Sequence, residues 1–363
     1  MRKHFALIVI CLLCAVPISS SAQEVRKAEP GDPGGKPPER TSARLSLTSL
    51  LTQAIIFLYE DKTPPDSDKL VQGQILGTAF IVGIPHSREA GRSIPFVVTA
   101  KHVIANRAKI LGRYSLKAGG VPGFAQYDLE ALRKNNDLWE HPGDEGVDIV
   151  VFRTPFYGIT KATPIPIDHI ASREVYTSQH IDAADRIMIP CLLAGYPGIS
   201  ANYPIFRDGS IALITEEPIQ FTWMYGHERI TTKQRVVFVN STFNEGFSGA
   251  PVFLWPGIRL TPQGNTFGGK PWLLGIVHGF QPLLRPVIDG DGENVFLLKR
   301  AKIDPNLPVP PKPVNVPVFS QENSAIGMVF PSWQILEILQ SDAVKKRIHE
   351  ISEEATPEKL HHP

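Results

Sequence analysis

Short runs of β-branched and aromatic residues, broken every few positions by Gly, Pro, Asn or Asp, set the pattern of this chain. Ala54 to Tyr59, Ile75 to Val82, Phe96 to Thr99 and Asp148 to Arg153 carry it through the first half. Cys191 to Ala194, Arg207 to Thr215 and Arg235 to Asn240 continue it. Runs of this length and composition predict strands. Many short strands with turn signals between them, and no βα alternation, predict an all-β fold made of barrels. Two segments have helical spacing instead. Tyr127 to Trp139 predicts an insertion helix ahead of the Asp148 strand, and Ser332 to Ile351 an amphipathic C-terminal helix. The latter would close a second barrel with Ile335, Leu336, Ile338 and Leu339 on its buried side.

Two stretches cannot pack. Residues from about Gln23 to Arg44 are dense in Pro, Gly and charge, the composition of a flexible leader, so ordered structure is expected from about Leu45. Gln281 to Glu322 is Pro-rich and reads as a long loop interrupting the second half. Ahead of both, a basic start (Met1 to His4) and an apolar run (Phe5 to Ile18) lead to Ser20 and Ala22, spaced for cleavage before Gln23. This predicts a signal peptide over residues 1–22 and export to a bacterial periplasm or beyond, with no stable membrane span after cleavage. An uncleaved anchor is the alternative. A lipid anchor is disfavoured, since neither Cys11 nor Cys14 follows the usual small residues.

Composition narrows the classes. Of three cysteines only Cys191 outlasts the signal segment, so no internal disulfide is available and stability must come from the core. With 363 residues and 42% hydrophobic composition, that core can be large. A net charge of +1, without a basic patch interleaved with aromatics, points to neither nucleic acid nor an anionic membrane as partner. No spacing suggests a metal or cofactor, and nothing fixes the oligomeric state.

One hexamer carries chemistry. In Gly246-Phe247-Ser248-Gly249-Ala250-Pro251 a serine sits between two glycines on a predicted turn. Gly246 can take the dihedrals that aim N–H groups inward, and Gly249 permits close approach. The N–H groups of Gly246 and Ser248 would then hold an oxyanion formed when Ser248 attacks a carbonyl. The plain alternative is a Gly-rich turn with a solvated serine. A serine needs a base, and the base a carboxylate. His102 follows the β-branched run Phe96 to Thr99, and Asp148 opens the strand Asp148 to Arg153; Asp144 and Glu145 compete with Asp148 for that role. The nucleophile-elbow motif G-x-S-x-G does not fit, since the position after Gly249 is Ala250. His141, His169, His180 and His227 default to surface residues, and Cys191 to a buried small hydrophobe.

The ordered set Gly77-Thr78-Ala79-Phe80, Thr99-Ala100-Lys101-His102, Asp148-Ile149-Val150-Val151, Gly246 to Pro251, Trp272 to Gly279 and Ile326 to Ser332 resembles the trypsin-like serine proteases. It is most similar to their bacterial, disulfide-free branch, which includes the HtrA (DegP-like) enzymes. The resemblance spans roughly residues 50 to 340. It implies two six-stranded antiparallel β-barrels of chymotrypsin type with a C-terminal α-helix, one over 45–165 and the other over 166–351, followed by a tail over 352–363. His102 and Asp148 would lie in the first barrel and Ser248 in the second. The implied substrate pocket is bordered by Thr242, Phe243, Val277, His278, Gly279 and Phe280, with the 281–322 loop nearby. Nothing there is acidic, which disfavours Lys or Arg specificity and suits a small or medium apolar side chain. Glutamate-specific relatives place a histidine one position earlier, at Val277. Adjacent strand residues face opposite ways, so His278 is expected behind the triad, bonded to Asp148.

Three departures matter. Phe247 stands where digestive members have the aspartate that pairs with a new N-terminus. Lys101 is expected in solvent, a cation that would lower the pKa of His102 if it stood close. No room remains after the last helix for a PDZ-like module. The implied function is an exported serine endopeptidase acting on protein or peptide substrates through a His-Asp-Ser triad and an acyl-enzyme. The alternative is a catalytically silent binding module on the same fold. An esterase of another fold is disfavoured by the motif order.

Overall fold

Phe57, Phe80, Phe96 and Phe152 are fully buried, one on each of four neighbouring strands, and their burial organises the first half of the molecule. The computed structural model describes residues 47–354 except 68, 90, 118–121, 155–159, 227, 258, 262–263, 267–268, 287–295, 300–313 and 318. The expected signal peptide, the Pro/Gly-rich stretch and the tail beyond 354 lie outside the described residues, as does His227. Helix α1 (Leu47–Ala54) leads into strands β1 (Ile55–Asp61), β2 (Gln72–Pro85), β3 (Ser93–Thr99), β4 (Lys109–Tyr114) and β5 (Gly123–Asp128). After helix α2 (Leu129–Lys134) come β6 (Leu138–Glu140), β7 (Val150–Arg153) and β8 (Ile165–Pro166). These form one sheet in the order β5-β4-β1-β2-β3-β7-β6, with β8 parallel to β2. In β1 the residues Ile55 to Tyr59 are buried on both faces, which explains a continuous apolar run where a half-exposed strand would alternate.

The second half begins with helix α3 (Arg173–Ser178), then β9 (Arg186–Cys191), β10 (Ile205–Ile214), β11 (Ile219–Tyr225), β12 (Glu228–Gln234), β13 (Val237–Asn240) and β14 (Pro251–Leu254). It continues through β15 (Arg259–Thr261), β16 (Gly264–Thr266), β17 (Leu273–Pro286), β18 (Phe296–Lys299), β19 (Val314–Pro317) and β20 (Phe319–Pro331). Six of them close a barrel in the order β10-β13-β20-β17-β14-β9. The expectation of two closed barrels is thus met in one half only, and the first half is an eight-stranded sheet that stays open at β5 and β6. Among the described residues no helix is long and apolar enough to cross a membrane.

Three expected elements differ in detail. The segment over Tyr127 to Trp139 is split: strand β5 runs to Asp128, whose side chain caps the single-turn-plus helix α2 by accepting from Ala131 N at 2.8 Å, and β6 follows. The expected loop 281–322 is a ladder at both ends, since β17 and β20 pair as far as Pro286 with Phe319. The C-terminal helix is two helices, α4 (Trp333–Leu339) and α5 (Asp342–Glu354). Ile335, Ile338, Leu339 and Val344 join the core of the first sheet, while Trp333 belongs to the barrel core. Arg347 adds an ion pair to Asp137 at 2.9 Å. The C-terminal helices therefore bridge the two halves, where the sequence pattern suggested a plug for the second alone.

A buried polar cluster joins the halves as well. Arg113 of β4, 6% exposed, donates to the Pro197 carbonyl at 2.8 Å, the Gly198 carbonyl at 2.5 Å and Asn202 Oδ1 at 2.7 Å. Asn202 in turn donates from Nδ2 to the Arg113 and Ile55 carbonyls at 2.7 and 3.3 Å. No single change to this cluster leaves every buried polar atom paired. Asn202→Ala is expected to destabilise the protein by about 2–3 kcal/mol, read as a lower urea midpoint at unchanged m. A loss under about 0.5 kcal/mol would mean that water replaces the amide.

Candidate active site

β3 ends at Thr99, and after Ala100 the chain makes one 3-10 turn, Lys101–Ile104, that carries His102. Asp148 lies just ahead of β7, which pairs with β3, so the two residues meet at neighbouring strand ends. His102 Nδ1 and Asp148 Oδ2 are 2.6 Å apart, and Asp148 Oδ1 accepts from the His102 backbone N–H at 2.8 Å. A second imidazole shares the same carboxylate. His278 of β17 places Nδ1 2.5 Å from Asp148 Oδ2, and the two rings stand edge to face with centroids 5.2 Å apart. An ionised carboxylate only accepts, so each Nδ1 carries its proton and His102 Nε2 keeps its lone pair. The competing acids do not meet His102: Asp144 accepts from Gly146 N–H at 2.8 Å and from Gln234 at 2.5 Å, and Glu145 is exposed.

Asp148 is fully buried. Burial alone would raise its carboxyl, but the charges of His102 and His278 and the hydrogen bonds from both outweigh this and hold it below the usual carboxylate range. For His102, burial acts to lower the pKa, while the Asp148 charge and hydrogen bond prevail and leave it above 6.5. His102, Asp148 and His278 also form the cluster whose side-chain atoms offer metal ligands. Separations of 2.5 and 2.6 Å fit N–H···O hydrogen bonds to the carboxylate. Two atoms bound to one zinc ion at about 2.0–2.2 Å each would stand farther apart.

Ser248 comes from the second half. Gly246 has φ +90°, the left-handed region that favours glycine, in the turn leading to it. A Cβ on Gly249 would collide with the Thr78 carbonyl and the Thr99 hydroxyl, so this turn lies directly on the strand ends that carry His102. Thr78, buried in β2, fastens the turn: its hydroxyl donates to the Gly246 carbonyl at 2.6 Å, and its N–H to the Ser248 carbonyl at 2.9 Å. The Ser248 hydroxyl donates to the His278 carbonyl at 3.2 Å, and among the described residues it has no hydrogen bond to His102. Catalytic hydrogen bonds are often made only once substrate is bound, and a serine hydroxyl reorients by a change of χ1 rotamer.

The other expected site residues divide. Thr242 and Phe280 are exposed, and Gly279 is half-buried beside His278. Phe243 and Val277 are buried in the barrel core, where the Phe243 ring lies 6.3 Å from that of Phe247 and against Gly327. Lys101 is not in solvent. It is 6% exposed, its ammonium 2.7 Å from Glu140, 3.3 Å from the Glu145 carbonyl and 5.2 Å from the Tyr225 ring centre. With its charge met by Glu140, it does not produce the lowered His102 pKa expected of an adjacent cation. Cys191 is fully buried, and burial pushes its thiol up to about 12, away from nucleophilic use. The aromatic wall of the site was missed from the sequence: Trp223 stands 6.3 Å from His102 and 5.6 Å from His278, and Phe221 and Phe330 flank His278 at 5.9 and 5.4 Å. The alternation of Phe221, Trp223 and Tyr225 with polar neighbours was the available signal.

No family model and no curated protein matches this chain. Among solved structures, it is similar to the active form of the Rv3671c protease of M. tuberculosis, at 12% identity over 80% of this chain and 82% of that one, with a TM-score of 0.38. The chemistry of the site therefore stands on its own geometry.

That geometry fixes how His102 titrates. Asp148→Asn removes the charge and leaves the burial, so the His102 pKa is expected to move from above 6.5 to below it, followed by NMR of the imidazole protons. An unchanged titration would mean that Asp148 does not set it.

Proposed function

We propose that this chain is a serine endopeptidase of the trypsin-like type, in the disulfide-free branch its motifs resemble, acting on protein or peptide substrates. The observation that carries the reading is the His102–Asp148 hydrogen bond at 2.6 Å, with the Ser248 turn seated on the same strand ends. In the mechanism, Ser248 Oγ attacks the scissile carbonyl while His102 Nε2 takes its proton. Asp148 holds His102 in the Nδ1–H form and offsets the imidazolium charge. The Gly246 and Ser248 N–H groups hold the oxyanion. As the intermediate collapses, the C–N bond breaks and His102 gives its proton to the leaving amine. Water then enters with its proton taken by His102, the ester bond of the acyl-enzyme breaks, and the proton returns to Ser248. Because the base must be neutral, activity rises as pH climbs through the raised His102 pKa.

Export to a periplasm or beyond is part of the proposal, supported by the apolar run Phe5 to Ile18 and the small residues before Gln23. A preference for small or medium apolar side chains before the scissile bond is supported by the lack of an acid among Thr242, Gly279 and Phe280. One observation favours a second reading, a catalytically silent binding module: the Ser248 hydroxyl rests on the His278 carbonyl and away from His102.

A fluorophosphonate separates the two. Intact mass is expected to show one adduct on the wild type and none on Ser248→Ala, which keeps the wild-type circular dichroism and loses peptide turnover. Turnover persisting in Ser248→Ala would sink the assignment. A folded wild type that takes no adduct would favour the silent module.

A further inference from the structure

The β11–β12 hairpin pairs strand to strand within itself and with neither main sheet. Side chains alone seat it over the histidines. Exposure alternates along β11, so Phe221, Trp223 and Tyr225 face inward while Gln220, Thr222 and Met224 face solvent. Phe221 packs on His278 and Phe330, each at 5.9 Å, and Trp223 lies against both His102 and His278. Tyr225 receives the Lys101 ammonium on its ring, and Gln234 bonds Asp144 and Gln334 at the base.

One atom in this arrangement is unaccounted for. Trp223 is 5% exposed, and its indole N–H is buried with no acceptor among the described residues. A buried tryptophan ordinarily finds a partner for that N–H, because a buried donor left unpaired is destabilising. Phenylalanine would keep an aromatic ring there without an unpaired donor. The unpaired donor sits beside the base of the proposed hydrolase, on an element that no backbone ladder ties down.

We propose that the β11–β12 hairpin is a lid over His102, Asp148 and His278, and that Trp223 is a substrate-binding residue. Its indole N–H donates to a backbone carbonyl of a bound polypeptide once the hairpin shifts to admit the chain. This rests on the endopeptidase reading and narrows it. The substrate is an extended polypeptide that offers carbonyls beyond the scissile bond, and a small ester lacks the group that Trp223 recognises.

The test compares the wild type with Trp223→Phe, which keeps an aromatic ring and removes the donor. Each is assayed with a small alkyl fluorophosphonate and with an extended fluorogenic peptide. Trp223→Phe is expected to lose about 10-fold more in kcat/KM on the peptide than in the rate of fluorophosphonate labelling. Equal losses, or no loss on the peptide, would overturn the role of the N–H. Absence of labelling in the folded wild type would overturn the endopeptidase reading, and this proposal with it. The lid has its own measurement. The emission of Trp223, taken as the difference between Ser248→Ala and Ser248→Ala/Trp223→Phe, is expected to shift when the uncleaved peptide binds, and no shift would overturn the movement.

Discussion

A fully buried, ionised carboxylate is the constraint on which the rest of this structure depends. Stripped of water, Asp148 is tolerable only with its lone pairs occupied by donors held in place. It gathers the backbone N–H of His102 and two imidazole N–H groups, one from each half of the molecule. That requirement sets how the halves meet, because β17 of the barrel must bring His278 to the strand ends of the open sheet. The other polar ties follow the same line: Thr78 to the serine turn, Arg113 to Asn202 in the loop after β9, Asp144 to Gln234. Apolar burial supplies the driving force in both cores, and these directional bonds select one relative placement of the halves.

Much of the site was legible because its chemistry is local in sequence. Strand run, small-residue turn and histidine stand together at 96–102, and the serine turn carries its own glycines. His278 could be aimed at Asp148 only with the help of the family resemblance, which sets a pocket histidine of relatives at Val277, while the two-residue period of a strand turns the next residue the other way. Closure of the first sheet was not legible. Alternation reports which face of a strand is buried and says nothing of whether the last strand returns to the first. Lys101 was misread for a related reason. Nothing near it reveals that Glu140, almost forty positions on, waits at the same sheet edge. The hairpin fell between these cases, since its inward aromatics follow an evident alternation while the body they cover is set by tertiary contact alone. The break between α4 and α5 lies at Gln340 and Ser341, inside a pattern whose apolar spacing runs on across it.

His278 serves the site through two different groups. Its ring donates to the Asp148 oxygen that His102 also uses, and its backbone carbonyl accepts the resting Ser248 hydroxyl. Side chain and carbonyl diverge from one residue, so a single strand position touches both the carboxylate beside His102 and the Ser248 hydroxyl. Its aromatic surroundings, Trp223, Phe221 and Phe330, keep water from competing for that carboxylate. A lower local dielectric strengthens the two imidazole hydrogen bonds to Asp148. The closed hairpin, the unpaired indole N–H and the parked serine then describe one resting state. Under the proposed function, the remaining donor, the Trp223 indole N–H, is the one that a carbonyl of an entering polypeptide would occupy.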